Sequence, residues 1–113
     1  MNLTVHAVTI NAVDPPSAAA FWAAALGGQI KETGNGYILV ETDTEGLPRL
    51  LFAPVDQHVH VPGRIHLDLA AADTVSEIAR LESLGATVVE QCHDSNFTWT
   101  VLTDPEGNPF CIG

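Results

Sequence analysis

One short stretch of the sequence carries two side chains that can exchange protons. His66 and Asp68 lie two residues apart in RIHLDLA, residues 64–70. If this stretch is a strand, successive side chains point to opposite faces, so the two polar groups share one face and the aliphatic residues share the other. Because histidine titrates near neutrality, His66 with Asp68 beside it is a candidate general acid and base. The alternative is that His66 is a hydrogen-bonded structural residue in the wall of a cavity, since direct contact with Asp68 at this spacing needs the side chains to lean or a water between them.

Two cysteines offer a second kind of chemistry. A cysteine nucleophile needs an activating base or a positive neighbour, and the sequence shows neither near Cys111, so we favour a small buried thiol there. Cys92 and Cys111 could pair, but two cysteines do not make a disulfide framework. We prefer the interpretation that both thiols are reduced and that the protein is cytoplasmic.

An aromatic side chain offers a third kind of contact. Residues 97–101 (FTWTV) alternate aromatic or aliphatic side chains with threonine, which is typical of a strand. If Trp99 faces a cavity, it presents a stacking surface for a flat or cationic ligand. If it faces the core, Thr98 and Thr100 present hydroxyl groups instead. Periodicity alone leaves both orientations open.

The bulk composition narrows the classes of partner. The 113 residues fit one domain, and 46% of them are apolar. The formal net charge is −10, with only Lys31, Arg49, Arg64 and Arg80 as fixed cations. Nucleic acids and anionic membrane surfaces are therefore poor partners, whereas a neutral or cationic ligand is accepted more easily. No apolar run approaches the ~20 residues of a membrane span and no signal-peptide pattern is visible, which predicts a cytoplasmic protein.

Caps and turns predict the same element order in both halves of the chain. Asp14 and Asp73 each precede a helical stretch as N-caps. Glycine follows each stretch, at Gly27 and Gly85. Asn35-Gly36 between two strand-like stretches predicts a hairpin, and Asp104-Pro105-Glu106-Gly107 fits a type I turn. The predicted helices are 15–26 and 74–84, and the predicted strands are 5–13, 29–33, 37–41, 48–53, 64–70, 87–92, 97–103 and 108–112.

The two halves repeat at nearly constant spacing. Asp14 and Asp73 are 59 residues apart, and the prolines of Gly46-x-Pro48 and Gly107-x-Pro109 are 61 apart. A βαβββ unit in each half is therefore an internal duplication. We predict a single domain made of module one (1–54), a linker (55–63) and module two (64–113).

This duplicated unit resembles the vicinal oxygen chelate superfamily, the glyoxalase, bleomycin-resistance and dioxygenase group, and within it the glyoxalase-like domain branch. The resemblance implies an α+β fold in which two βαβββ modules form curled mixed sheets around a cavity, with the helices outside, and it implies a homodimer. The residues that carry it are Asp14 with 21–27 (FWAAALG), 66–69 (HLDL) and 101–111 (VLTDPEGNPFC).

Metal-dependent members of this superfamily take one ligand from the first strand and one from the last strand of each module. The resemblance implies that these lie seven residues before the helix-capping Asp and three residues after the Asn of the turn motif. In this sequence the four positions are Ala7, Leu50, His66 and Cys111. Two aliphatic residues cannot ligate, so we expect no cofactor, and His66 is the ligand if a divalent metal binds. A metal shared between chains through His58 or His60 is the alternative.

These observations predict a small-molecule-binding protein with a degenerate metal site. By register with His66 and Asp68, we expect Ala7, Thr9 and Asn11 to face the cavity from module one. The ligand would be apolar and aromatic, or cationic. Catalysis would be a metal-independent lyase or isomerase step that uses His66 and Asp68. The alternatives are a resistance protein that sequesters a drug or toxin, and a metal-dependent lyase or dioxygenase. The predicted ligand-binding residues are Ala7, Thr9, Asn11, Leu50, Trp99 and Cys111.

Overall fold

A computed structural model of the protein describes residues 5–43, 46–57, 66–93, 95 and 98–113. The chain divides into two compact units, Met1–His60 and Val61–Gly113. The division falls within the predicted linker 55–63, of which residues 58–63 lie outside the described part. Neither helix in the described part is both long and apolar enough to cross a membrane.

The first unit has the predicted βαβββ order. Its sheet has the strand order β1-β4-β3-β2. The first strand runs parallel to the last, and the remaining neighbours are antiparallel. The hairpin turn at Asn35-Gly36 is present, and both residues have positive φ angles, 55° and 82°. The elements are β1 (Ala7–Ala12), α1 (Pro15–Leu26), β2 (Gly28–Gly34), β3 (Tyr37–Thr42) and β4 (Arg49–Pro54).

Helix α1 forms where the sequence predicted it and packs closely on this sheet. The Asp14 carboxylate accepts a hydrogen bond from the Ser17 N–H at 3.3 Å, and Gly27 ends the helix in a left-handed conformation with φ 69°. Phe21 and Trp22 are buried and meet edge to face, with ring centroids 5.1 Å apart. The other buried helix residues are Pro15, Ala18, Ala19 and Ala23.

The second unit repeats the order and the topology. Its sheet has the strand order β5-β8-β7-β6, and its first strand again runs parallel to its last. Of the predicted strand 64–70, the structure forms 67–69, while Arg64 and Ile65 lie outside the described residues, as does Phe97 of the predicted strand 97–103. The elements are β5 (Leu67–Leu69), α2 (Thr74–Leu84), β6 (Thr87–His93), β7 (Thr98–Thr103) and β8 (Pro109–Ile112).

Helix α2 has the same caps as α1 but shallower packing. The Asp73 carboxylate accepts from the Ser76 N–H at 3.1 Å, and Gly85 follows the helix with φ 120°. Leu81 is the buried residue of this helix, whereas Val75 is 79% exposed. The same capping signals therefore specify both helices, although the two bury very different amounts of side chain.

A buried carboxylate fixes the turn between β7 and β8. Asp104 is 4% exposed, and its Oδ1 accepts hydrogen bonds from the Glu106 and Asn108 N–H groups at 2.9 and 2.8 Å. Its Oδ2 accepts from Asn108 Nδ2 at 3.0 Å, and the Gly107 N–H donates to the Asp104 carbonyl at 2.9 Å. This is the turn predicted at 104–107, and the Asp104 side chain positions the last strand.

Candidate functional site

Strand pairing in the second unit brings the predicted chemical groups to one face of its sheet. Asp68 pairs with Cys111, and Cys111 pairs with Val101, so the three side chains share a face. Trp99 lies two residues before Val101 and therefore faces the same way. The opposite face is buried and carries Thr100, Leu102, Phe110 and Ile112. We call the face that carries His66, Asp68, Cys111, Val101 and Trp99 the His66 face.

His66 and Asp68 form a direct pair on this face. His66 lies immediately before β5, and its Nε2 is 3.3 Å from Asp68 Oδ1. Two side chains at this spacing in a strand start about 6.5–7 Å apart, so both lean towards each other. They are 48% and 79% exposed, and an ion pair in so much water stabilises a fold by only ~0–1 kcal/mol. The two side chains are therefore in direct contact, and both are well exposed to water.

Cys111 completes a cluster of three donor atoms. The His66 ring nitrogen, an Asp68 carboxylate oxygen and Cys111 Sγ all lie within 4.8 Å of one another. Burial, then the Asp68 carboxylate and then Cys92 raise the pKa of the Cys111 thiol, which stays protonated at neutral pH. A protonated thiol is a poor nucleophile, in keeping with the structural interpretation of Cys111.

The two cysteines lie on different strands of the same sheet. Cys92 in β6 pairs with Trp99 in β7, while Cys111 in β8 pairs with Val101 on the other side of β7. Two strand spacings amount to about 9.6 Å, which exceeds the Cα separation that a disulfide spans. Both thiols are free. Desolvation, followed by the Glu90 carboxylate, raises the pKa of the Cys92 thiol.

The orientation of Trp99, which the sequence left open, is determined by this pairing. Trp99 is half-buried on the His66 face, and Thr98 and Thr100 point to the other side. Thr100 pairs with Ile112 and is only 7% exposed, so it belongs to the core. Of the two alternatives from the sequence, the structure selects an indole on the face that carries His66 and Asp68.

In the first unit, the predicted residues share a face with one exception. Ala7, Thr9 and Asn11 alternate along β1 and face the same way. Their partners on β4 share that orientation and are Arg49, Leu51 and Ala53. We call this set of six residues the Thr9 face.

Leu50 is the exception, and its predicted position is wrong. Leu50 pairs with Val8 and is 0% exposed, so it lies on the buried face opposite Thr9. Thr9 and Asp68 each lie five residues before a helix cap, and they pair with Leu51 and Cys111 respectively. Leu51 is therefore the counterpart of Cys111. The error came from matching Pro48 with Pro109, which ignores a different loop length between the last two strands of the first unit.

The charged groups near the Thr9 face are paired. Lys31 Nζ lies 3.0 Å from Glu41 Oε2. Arg49 Nη2 lies 2.9 Å from His6 Nδ1 and 2.6 Å from His6 Nε2, and Arg49 Nε donates to the His6 carbonyl at 3.4 Å. Because Ala7 and Leu51 carry only aliphatic side chains, the Thr9 face supplies no metal donor at the two positions that the resemblance implies.

The complete set of four implied metal positions therefore does not fit a metal. With the corrected register these positions are Ala7, Leu51, His66 and Cys111. Asp68 was predicted as a partner of His66, but its closeness to Cys111 was missed because that contact depends on pairing between the first and last strands of the unit. His58 and His60, the proposed ligands of a metal shared between chains, lie outside the described residues.

Solved structures with the same fold include binding proteins and enzymes. TnmS3, an antibiotic binding protein from Streptomyces sp. CB03234, has a TM-score of 0.72 and 19% identity, with 100% of this chain and 97% of that chain covered. A glyoxalase/bleomycin resistance protein/dioxygenase family enzyme from Burkholderia phytofirmans PsJN has a TM-score of 0.75 and 21% identity, with 95% and 94% covered. Lactoylglutathione lyase from Agrobacterium tumefaciens has a TM-score of 0.70 and 20% identity, with 100% and 94% covered.

At these identities the likeness establishes the fold and leaves the function open. None of the curated proteins matches the chain by sequence. The family model described as "Glyoxalase-like domain" matches residues 7–113, which is nearly the whole chain. Because this model matches nearly the whole chain and the structure contains two βαβββ units, the chain belongs to the glyoxalase-like domain family of the vicinal oxygen chelate superfamily.

Proposed function

We propose that the protein binds a flat small molecule, neutral or cationic, against Trp99 and holds it without converting it. The observation that carries this proposal is the position of Trp99 on the His66 face, which also carries Asp68 and Cys111 on the strands β5 and β8. An indole face attracts aromatic rings and cations, and a carboxylate on the same face of the sheet adds favourable charge. Strands β5 to β8 contain no lysine or arginine that would repel a cation.

The surroundings of the polar groups favour binding over chemistry. His66 and Asp68 are well exposed to water, and the Cys111 thiol has a raised pKa. General acid–base catalysis is most effective in a site from which water is excluded, and nucleophilic catalysis needs an activated thiolate. Ligand sites, in contrast, need apolar surface and a few polar groups that fix orientation. The antibiotic-binding neighbour TnmS3 lends support to the same interpretation.

A second function has one specific observation in its favour. The 3.3 Å contact between His66 Nε2 and Asp68 Oδ1 is the geometry in which a carboxylate orients an imidazole for proton transfer. A metal-independent lyase or isomerase step on a bound aromatic metabolite would use this pair. We rank it second because both side chains stay solvated.

Assembly and location are further parts of the proposal. The superfamily resemblance supports a homodimer, and two free thiols support a reducing, cytoplasmic location. Light scattering after size-exclusion chromatography tests the homodimer, for which a mass near twice 12.0 kDa is expected. A monomer across the micromolar range would contradict it.

A thermal-shift screen is the first test of the proposed function. The panel contains aromatic antibiotics and metabolites in cationic, neutral and anionic sets, and the buffer contains a chelator so that metal effects are absent. A ligand that binds only the folded state raises Tm, and we expect hits among the cationic and neutral aromatic compounds. Hits confined to the anionic set would contradict the proposal.

Titration calorimetry with the best hit then separates the two functions. Trp99→Leu removes the flat ring, so binding should weaken at least tenfold, whereas Trp99→Phe should retain most of the affinity. His66→Ala should keep the affinity within about threefold if the protein only binds. If the hit is converted to a product and His66→Ala slows that turnover ~10²–10⁴-fold, the lyase or isomerase function is correct.

A further inference from the structure

We propose that His66, Asp68 and Cys111 form a zinc site contained within the second unit. Their three donor atoms, a ring nitrogen, a carboxylate oxygen and a sulfur, lie within 4.8 Å of one another. The superfamily arrangement takes two ligands from each module, and Asp68 is not one of its positions. The proposed site is thus a different arrangement, and it does not need Ala7 or Leu51. It shares Asp68 and Cys111 with the face proposed for small-molecule binding, but its metal test does not require that any small molecule binds.

The backbone already holds the three residues in position. Asp68 and Cys111 are directly paired on neighbouring parallel strands, and His66 lies two residues before Asp68 on the same face. The two strands are the first and last of the unit, so hydrogen bonds along the ladder fix the distance between the two Cα atoms. Only side-chain rotation is needed to close the site.

The required rotation is small. Zinc takes sulfur at about 2.3 Å and nitrogen or oxygen at about 2.0–2.2 Å, so neighbouring donors in a tetrahedral site lie roughly 3.5 Å apart. His66 Nε2 and Asp68 Oδ1 are already 3.3 Å apart, and the remaining separations do not exceed 4.8 Å. Movements of about an ångström by exposed side chains such as His66 and Asp68 are compatible with unchanged strands.

The donor types favour zinc over other common ions. Magnesium and calcium bind oxygen ligands almost exclusively, and this cluster offers one carboxylate. Imidazole and thiolate together suit zinc, which is commonly held by three protein ligands with one position open. A bound zinc would also neutralise charge in a unit that carries eight acidic residues against Arg64 and Arg80.

Metal titration of the whole protein tests the site with the metal alone. Reduced, chelator-stripped protein is titrated with Zn²⁺ by calorimetry and with Co²⁺ by absorption, because a thiolate bound to Co²⁺ gives a charge-transfer band in the near ultraviolet. We expect one metal per chain and a thiolate band. Binding without that band, or no binding, would overturn the proposal.

Matched cysteine variants locate the thiolate. Cys111→Ser should abolish the cobalt band and weaken zinc binding at least tenfold, while Cys92→Ser should leave both unchanged. His66→Ala and Asp68→Asn should each weaken zinc binding at least tenfold, with circular dichroism confirming that every variant is folded. A band that survives in Cys111→Ser and disappears in Cys92→Ser would assign the metal to the other thiol and refute the site.

Discussion

The two units of the chain share an architecture but have diverged in what they bury and what they present. Helix α1 buries six residues, whereas helix α2 buries Leu81. The Thr9 face presents Ala7, Thr9 and Leu51, with two aliphatic side chains and one hydroxyl, at the positions where the His66 face presents an imidazole, a carboxylate and a thiol. Caps and strand pairing are thus enough to retain the fold, while packing and chemistry are free to vary between the copies.

The largest expected difference between the units is in helix packing. Trp22 and Leu81 each lie eight residues after their helix caps, and they are 2% and 3% exposed. Trp22→Ala should cost about 3–5 kcal/mol of unfolding free energy, and Leu81→Ala about 2–3 kcal/mol, because the tryptophan fills more volume. Urea unfolding followed by circular dichroism measures both, with the exposed Val75→Ala as a control expected within ~0.5 kcal/mol. A costlier Leu81→Ala would reverse the comparison.

The turn before the last strand should show the next largest effect. Asp104 is buried and accepts three hydrogen bonds within its own turn, from Glu106 and Asn108. Asp104→Ala leaves these donors without that acceptor and should cost about 2–3 kcal/mol. Glu106→Ala keeps the backbone donors and serves as the control. Equal unfolding midpoints for the two variants would show that the carboxylate does not hold the turn.

The helix caps should respond alike in both units despite the difference in packing. Asp14 accepts from the Ser17 N–H and Asp73 from the Ser76 N–H, at 3.3 and 3.1 Å. Replacing either Asp by Ala should cost about 1 kcal/mol, whereas replacement by Asn should cost less because Asn also caps well. Chemical denaturation of the four variants gives the comparison. A loss confined to one helix would mean that the surrounding packing, and not the cap, decides its stability.

The smallest expected effect concerns the two thiols. Negative charge raises the pKa of a thiol, so removing a neighbouring carboxylate lowers that pKa and increases the thiolate fraction at a given pH. Asp68→Asn should therefore speed alkylation of Cys111 by iodoacetamide a few-fold at pH 8, and Glu90→Gln should do the same for Cys92. Mass spectrometry of the alkylated peptides separates the two sites. Faster alkylation of Cys92 in Asp68→Asn would contradict this assignment of charge effects.

Local signals predicted most of the fold. The caps at Asp14 and Asp73, the Asn35-Gly36 turn and the turn at 104–107 each depend on residues close in sequence, and each is present. The Leu50 position was wrong because it depends on the length of a loop, which a single proline match cannot fix. The contact between Asp68 and Cys111 was missed because it forms across a parallel strand pair that no local pattern reveals.

The pairing of the first strand of each unit with its last strand has a consequence for biosynthesis. Asp68 and Cys111 are neighbours in space but 43 residues apart in the chain, so their contact has a high contact order. During translation, strand β5 emerges long before strand β8, which is its neighbour in the described sheet and has not yet been synthesised. The three donor atoms therefore come together only after the whole second unit has left the ribosome, which keeps the nascent chain from presenting an assembled cluster prematurely.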